Sequence, residues 1–339
     1  MTSPIALSGA PGSPYTRKML AVLRYRRIPY RFLISGTEPP ELPRPMVQLL
    51  PTFYLPGADG ALEAVVDSTP IIARLEAEHV GRSLRPADPA LAFLDALIED
   101  YGDEWLTKPM FHYRWAYEAD IARAAAILPA WRRSQIPDEA LLAAGRQFAE
   151  RQIGRLRVVG SNPTTGPIIE ASYRRFLEAF EDHLRHHRFV LGGRPAAADF
   201  ALYGQLTQLS HFDPTPMELT LKIAPRVFAW VDLMEDLSGL EPQDGDWFDS
   251  GAPPPTLIAL LAEIGRVYPP VMLANAQAVA QGADGVVCEV DGARWEQAPF
   301  PYQAKCLKAL REAHTALPGQ ARARIDAILG GTGLAALFA

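Results

Sequence analysis

The chain has 339 residues, enough for two or three domains and for a large core without covalent staples. Hydrophobic residues make up 48% and charged residues 21%, an ordinary composition for a soluble globular protein. The net charge of −6 argues against a nucleic-acid binder with a basic stripe and against a polybasic membrane-surface protein. Two cysteines, Cys288 and Cys306, make neither a disulfide framework nor a zinc-ligand spacing. No run of apolar residues reaches the roughly 18–20 of a membrane span, and MTSPIALSGAPGSPYTRK has no charged and then apolar leader. The expectation is a cytoplasmic protein with no metal site and with neither nucleic acid nor membrane as a partner.

The first 80 residues alternate strand and helix signals. Ile5–Ser8 is a short apolar run, the loop GAPGSP follows, and Tyr15–Arg26 carries Met19, Leu20, Val22 and Leu23 at helical spacing. Tyr30–Ile34 reads as a second strand. Pro39, Pro40, Pro43 and Pro45 leave any helix between Thr37 and Gln48 short or irregular. Thr52–Leu55 and Glu63–Val66 flank an Asp59-Gly60 hairpin signal, and Ser68 caps a helix to about His79. The order β-α-β, then β-β-α, with a parallel first pair and an antiparallel last pair, is that of a thioredoxin-like α/β domain.

Beyond GRSLRPADP the periodicity turns helical. One long helix is expected over Leu91–Tyr117, with others at Ile121–Trp131, Glu139–Val158, Ile168–His187, Ala197–Leu209 and Pro225–Leu237. EPQDGDWFDSGAPPP is a second break. After it come helices at Thr256–Gln281, Tyr302–Ala316 and Gln320–Leu329, with a hairpin around Asp291-Gly292. The expected domains are 1–80, thioredoxin-like; 88–245, an all-α helical bundle; and 255–339, a mostly helical C-terminal extension containing a β-hairpin, to which no chemistry is assigned.

Ser13-Pro14-Tyr15-Thr16 stands where the first strand turns into the first helix. The unpaired N–H groups and dipole of that helix end would stabilise a bound thiolate, to which a Ser13 hydroxyl could donate. Taken alone, Ser13 equally suits an ordinary N-cap. Both positions of a C-x-x-C motif carry hydroxyls here, so disulfide exchange by a protein cysteine is excluded at this spot. Pro51 opens the third strand; a cis bond would free the Leu50 N–H and C=O for an extended ligand, while a trans proline is the commoner case. Asp67-Ser68 at the next helix start would suit the ammonium and carboxylate of an α-amino acid, or simply cap the helix. His183, His186 and His187 form no HExxH motif and sit where a helix C-terminus favours them.

In order and spacing these segments resemble the glutathione S-transferase superfamily, over Ile5 to about Leu237 and most closely its Ser- and Cys-type bacterial and plant classes. GAPGSPYTRKML is similar to the family's strand–loop–helix, DSTPIIARLE to its acidic-Ser helix start, and FVLGGRPAAADFALYGQL to its Gly-rich loop and buried helix. In that helix Asp199 takes the place of the capping carboxylate, while Ala196 stands where a hydroxyl is usual, a loss of about 1 kcal/mol. The resemblance implies glutathione as co-substrate, Ser13 on its thiolate, Leu50 before a cis Pro51 on its cysteinyl segment, and Asp67 and Ser68 on its γ-glutamyl end. For the glycyl carboxylate only Arg44 and Gln48 offer themselves. Tyr15 is a rival thiol partner that should turn into the helix. A small hydrophobic electrophile would lie between the domains against Tyr15, Trp105, Met110, Phe111 and Trp115, residues that also suit a bundle core. Arg114 should stack there or pair with Glu99, Asp103 or Glu104. The expected function is a homodimeric glutathione transferase that promotes attack of the thiolate on that electrophile. Alternatives are a non-catalytic binding protein of the same fold and a glutathione-dependent isomerase or lyase.

Overall fold

The computed structural model describes residues 4–339; the first three residues, with which the reading of the amino terminus begins, lie outside the described residues. The amino-terminal part consists of β1 (Ile5–Gly9), α1 (Pro14–Tyr25), β2 (Tyr30–Ile34), β3 (Thr52–Pro56), β4 (Leu62–Val65) and α2 (Ser68–Glu78). The sheet order is β2-β1-β3-β4, with β1 parallel to β2 and β3 antiparallel to both its neighbours. This is the expected thioredoxin-like layout. Residues 35–51, where the prolines cluster, contain no helix. Leu7, Phe53 and Leu55 from the sheet, Met19, Val22 and Leu23 from α1, and Ile71 and Leu75 from α2 are all buried against one another.

The helical part begins with α3 (Pro89–Glu104), whose N-cap Asp88 accepts from the backbone of Ala90 and Leu91 at 2.7 and 3.3 Å. The single helix expected over Leu91–Tyr117 is two: α3 ends at Glu104 and α4 spans Thr107–Ala116. Pro109 supplies the reason. It has no N–H to give the Trp105 carbonyl, and its ring clashes with that group in a continuous helix. Helices α5 (Glu118–Ile127), α6 (Asp138–Ile153), α7 (Gly166–Leu184), α8 (Ala197–Leu209), α9 (Pro214–Ile223) and α10 (Pro225–Met234) follow. No helix was expected between Leu209 and Pro225, yet α9 forms there; Pro214 and Pro216 lie in its first turn, where the N–H is an orphan in any case. Every residue of α8 is buried. It crosses α1 so closely that a Cβ on Gly204 would lie 2.6 Å from the Pro14 carbonyl oxygen.

The extension comprises α11 (Pro255–Gln281), the hairpin β5 (Val286–Val290) and β6 (Ala293–Gln297), α12 (Pro301–Thr315) and α13 (Gly319–Leu329). It shares one apolar core with the rest of the chain. Trp295 of β6 packs on Trp105 at 5.4 Å between ring centres, Tyr268 of α11 meets Tyr101 edge-on at 6.1 Å, and Arg324 of α13 reaches Asp88 at 3.1 Å. By length and composition α11 is apolar enough to cross a bilayer, which corrects the expectation that no segment reaches that limit. Of its most apolar window 61% is buried inside the protein, and its Glu263 pairs with Arg175 of α7 at 2.8 Å, as suits a core helix.

Candidate functional site

Strand direction brings the candidate segments to one place. The pairing of Ser8 with Thr52 sets the end of β1 beside the start of β3, and that of Phe53 with Val65 sets the end of β4 next to both. The loop into α1, the Leu50–Pro51 bond and the loop into α2 therefore meet at one edge of the sheet. The N-termini of α1 and α2 both face this edge, where two helix dipoles favour negative charge.

Ser13 is the N-cap of α1. Its Oγ accepts from the Thr16 N–H at 3.2 Å, and its own O–H has no acceptor among the described residues. Thr16, its partner in the spacing of a redox motif, is fully buried, and its Oγ1 accepts from the Ala10 N–H at 3.3 Å. The loop is held from the helical half. Arg114 donates to the Gly12 carbonyl at 3.1 Å and Gln208 to that of Pro11 at 3.3 Å. Arg114 pairs with Asp213, its Nη2 lying 2.8 Å from Oδ2, and stacks over Phe212. This corrects the expected partners Glu99, Asp103 and Glu104. Burial pushes the Asp213 carboxyl up to about 6 against the pull of Arg114.

The Leu50–Pro51 bond is cis. Arg44 and Gln48 are both exposed in the segment that precedes it. Asp67 adopts φ +82°, a conformation L-residues rarely take, and its side chain does not cap α2. Its Oδ2 instead accepts from the Tyr302 hydroxyl of α12 at 2.6 Å. Ser68 is buried, with Lys18 Nζ 3.0 Å and Asp103 Oδ2 3.4 Å from its Oγ.

Lys18 was not singled out by the sequence, although it organises this corner. Its ammonium is buried between Glu99 Oε1 at 2.8 Å and Asp103 Oδ2 at 2.6 Å. Burial alone would lower its pKa, but the two carboxylates outweigh burial and hold it above its ordinary value. Asp103 is pushed up to about 6 by burial, with Lys18 opposing and Glu99 and Asp67 adding to the rise. Further along α3, burial raises Asp100 to about 7 and, with help from Asp100 and Asp103, Glu104 to about 8. The available signal was EDYGDE itself: four carboxylates in six residues on a helix whose apolar period is intact must place some of them inside.

The expected pocket residues divide. Tyr15 turns into the fold, as its place after Pro14 suggested; its hydroxyl donates to the Asp103 carbonyl at 2.8 Å, and burial raises it well above the usual phenol range. Trp105, 1% exposed, donates to Ser172 at 3.2 Å and lies under Trp295; Trp115, 2% exposed, packs edge-on against Phe148. Both are core residues rather than liners of an open cavity. Met110 is buried and Phe111 half-buried beside Trp115. The side chains that flank the Ser13 loop are Leu128 and Trp131, which lie 2.4 and 2.8 Å from where a Cβ on Gly12 would stand. Residues 130–135 line an open depression there. Leu128 and Trp131 fall in the helix expected over Ile121–Trp131, which ends at Ile127 instead, and no periodicity could aim them at Gly12.

Asp199 accepts from the Val190 and Ala196 N–H groups, each at 2.9 Å, and burial raises it to about 7. His183 is engaged by the Phe189 carbonyl at 3.1 Å and Thr256 Oγ1 at 3.0 Å.

A thioredoxin-like half joined to an all-helical half, with a Ser-capped first helix and an Asp-Ser second helix start at one sheet edge, defines a class of protein. Family models agree: Glutathione S-transferase, N-terminal domain, matches residues 7–83 and Glutathione S-transferase, C-terminal domain, matches residues 116–233. The chain belongs to the glutathione S-transferase superfamily. No curated protein matches it. Among solved structures it is similar to a glutathione S-transferase of Methylobacterium radiotolerans in complex with glutathione sulfonate, at 21% identity over 69% of this chain and 91% of that one, TM-score 0.41. It is also similar to a glutathione transferase family member of Pseudomonas fluorescens with two glutathione bound (15%, 76% and 92%, 0.40) and to FzlA of C. crescentus (17%, 71% and 96%, 0.40).

Proposed function

We propose that the protein is a glutathione transferase that binds glutathione at the sheet edge formed by the starts of α1, β3 and α2, and activates its thiol for attack on a hydrophobic electrophile. The observation that carries this reading is Ser13, an N-cap whose hydroxyl hydrogen is uncommitted at a helix end that favours a thiolate. In this reading the Leu50 backbone pairs with the cysteinyl segment. Asp67 and Ser68 take the γ-glutamyl ammonium and carboxylate, and Arg44 or Gln48 the glycyl carboxylate. The electrophile lies against Leu128 and Trp131, with Phe111 behind. Rate enhancement comes from thiolate stabilisation and proximity, with no protein nucleophile. The working form is a cytoplasmic homodimer. Retention on immobilised glutathione, combined with a conjugation assay on aromatic electrophiles, tests the reading. Retention with turnover is expected, and loss of both in Asp67→Asn/Ser68→Ala. A wild-type chain that passes unretained and inert would refute it.

A further inference from the structure

The Tyr302 side chain comes from the extension, 235 residues along the chain from Asp67, yet ends 2.6 Å from its Oδ2. It is fixed in place. Phe300 just before it exchanges two hydrogen bonds with the fully buried Asn275, at 2.9 and 2.7 Å, and Gln303 just after it donates to the Glu104 carbonyl at 3.2 Å. Asp67 is held off its own helix by its unusual φ and leaves Oδ1 without a partner among the described residues. A second carboxylate converges here. Asp103, 8% exposed, meets Ser68 and Lys18 through Oδ2, while its buried Oδ1 has no partner among the described residues. Lys18 is already shared between Asp103 and Glu99, so this corner has more carboxylates than cations to pair them.

We propose that Tyr302 completes the amine-binding end of the site: while donating to Asp67, its phenol oxygen accepts a hydrogen bond from the α-ammonium of a γ-glutamyl ligand. The proposal rests on the reading of this edge as a glutathione site. A phenol can donate and accept at once, and an ammonium brings three donors to the free lone pairs of Tyr302 and Asp67 while the buried Asp103 carboxylate behind Ser68 adds negative charge to the corner. The extension thus becomes part of the binding site instead of a remote appendage. Tyr302 remains 39% exposed, so a ligand can reach it, and its anchored neighbours make it a fixed wall and not a lid.

The test is titration calorimetry of wild type and Tyr302→Phe with glutathione and with its analogue lacking the α-amino group. Wild type should prefer glutathione strongly. Tyr302→Phe should weaken glutathione about ten-fold, as for loss of one charge-assisted hydrogen bond, and leave the analogue's affinity unchanged. If wild type discriminates and Tyr302→Phe matches it for both ligands, the inference fails and the glutathione site stands. Tighter glutathione binding by Tyr302→Phe would mean that Tyr302 blocks the seat, and overturns the inference. A wild type that binds neither ligand refutes the site, and the inference with it.

Discussion

At the scale of single residues, the corner around Lys18 carries the sharpest consequences. Its ammonium is the counter-charge for two buried carboxylates, and removing one partner of such a group costs about 3–5 kcal/mol, because the rest stay buried and unpaired. Lys18→Met should therefore lower the urea midpoint severely, whereas Lys18→Met/Glu99→Gln/Asp103→Asn should recover much of the loss; equal loss in both would place the stabilisation elsewhere. Asp199 is a different case. Its carboxylate pairs two buried N–H groups at the start of α8, and each donor left unpaired costs about 1–3 kcal/mol. Asp199→Ala should lower the melting temperature by several degrees and leave the glutathione affinity of the folded protein intact. A stable variant with lost binding would contradict its purely structural place.

At the scale of elements, the hairpin β5–β6 is a fastening. Trp295 fills the space over Trp105, and Lys108 lies 5.5 Å from its ring. Trp295→Ala should cost about 3–5 kcal/mol, as for other buried aromatics, measured by denaturant unfolding. A loss under 1 kcal/mol would mean the extension is only loosely attached. Much of this level was legible in the sequence. Ala197–Leu209 and Tyr30–Ile34 match their elements to the residue, because apolar spacing and flanking breakers agree there. What was not legible followed from prolines and from long-range contact. Pro109 divides a helix whose period runs straight through it, while Pro214 and Pro216 sit in the first turn of a helix that was not expected. The positions Ser13, Asp67 and Ser68 could be named from local pattern, since each lies at a helix start. Lys18, Trp131 and Tyr302 could not, since only the packing of distant elements brings them to the sheet edge.

At the scale of the whole molecule, the buried acids of α3 and α8 set the pH dependence of stability. Asp100 at about 7, Glu104 at about 8 and Asp199 at about 7 are all raised in the folded chain, which keeps protons the unfolded chain gives up. Stability from such groups is complete below their unfolded values near 4 and is lost as pH rises through 7–8, by about 1.4 kcal/mol per pH unit for each proton retained. His183, lowered to about 4 chiefly by burial, acts oppositely and costs stability as pH falls from about 6.5 toward 4. The urea midpoint should thus be higher at pH 6 than at pH 8, and Glu104→Gln should flatten the difference; a midpoint that rises over this range would contradict the assignment. The proposed binding site depends on the same architecture, because α3 would supply Asp103, α12 would supply Tyr302, and α4 and α8 hold the Ser13 loop. The central claim is that this edge binds glutathione and stabilises its thiolate. A spectrophotometric pH titration of the bound thiol tests it most directly. A pKa well below the free value of about 8.5 is expected in wild type, moving back toward it in Ser13→Ala; bound glutathione that titrates like free thiol in both proteins would contradict it.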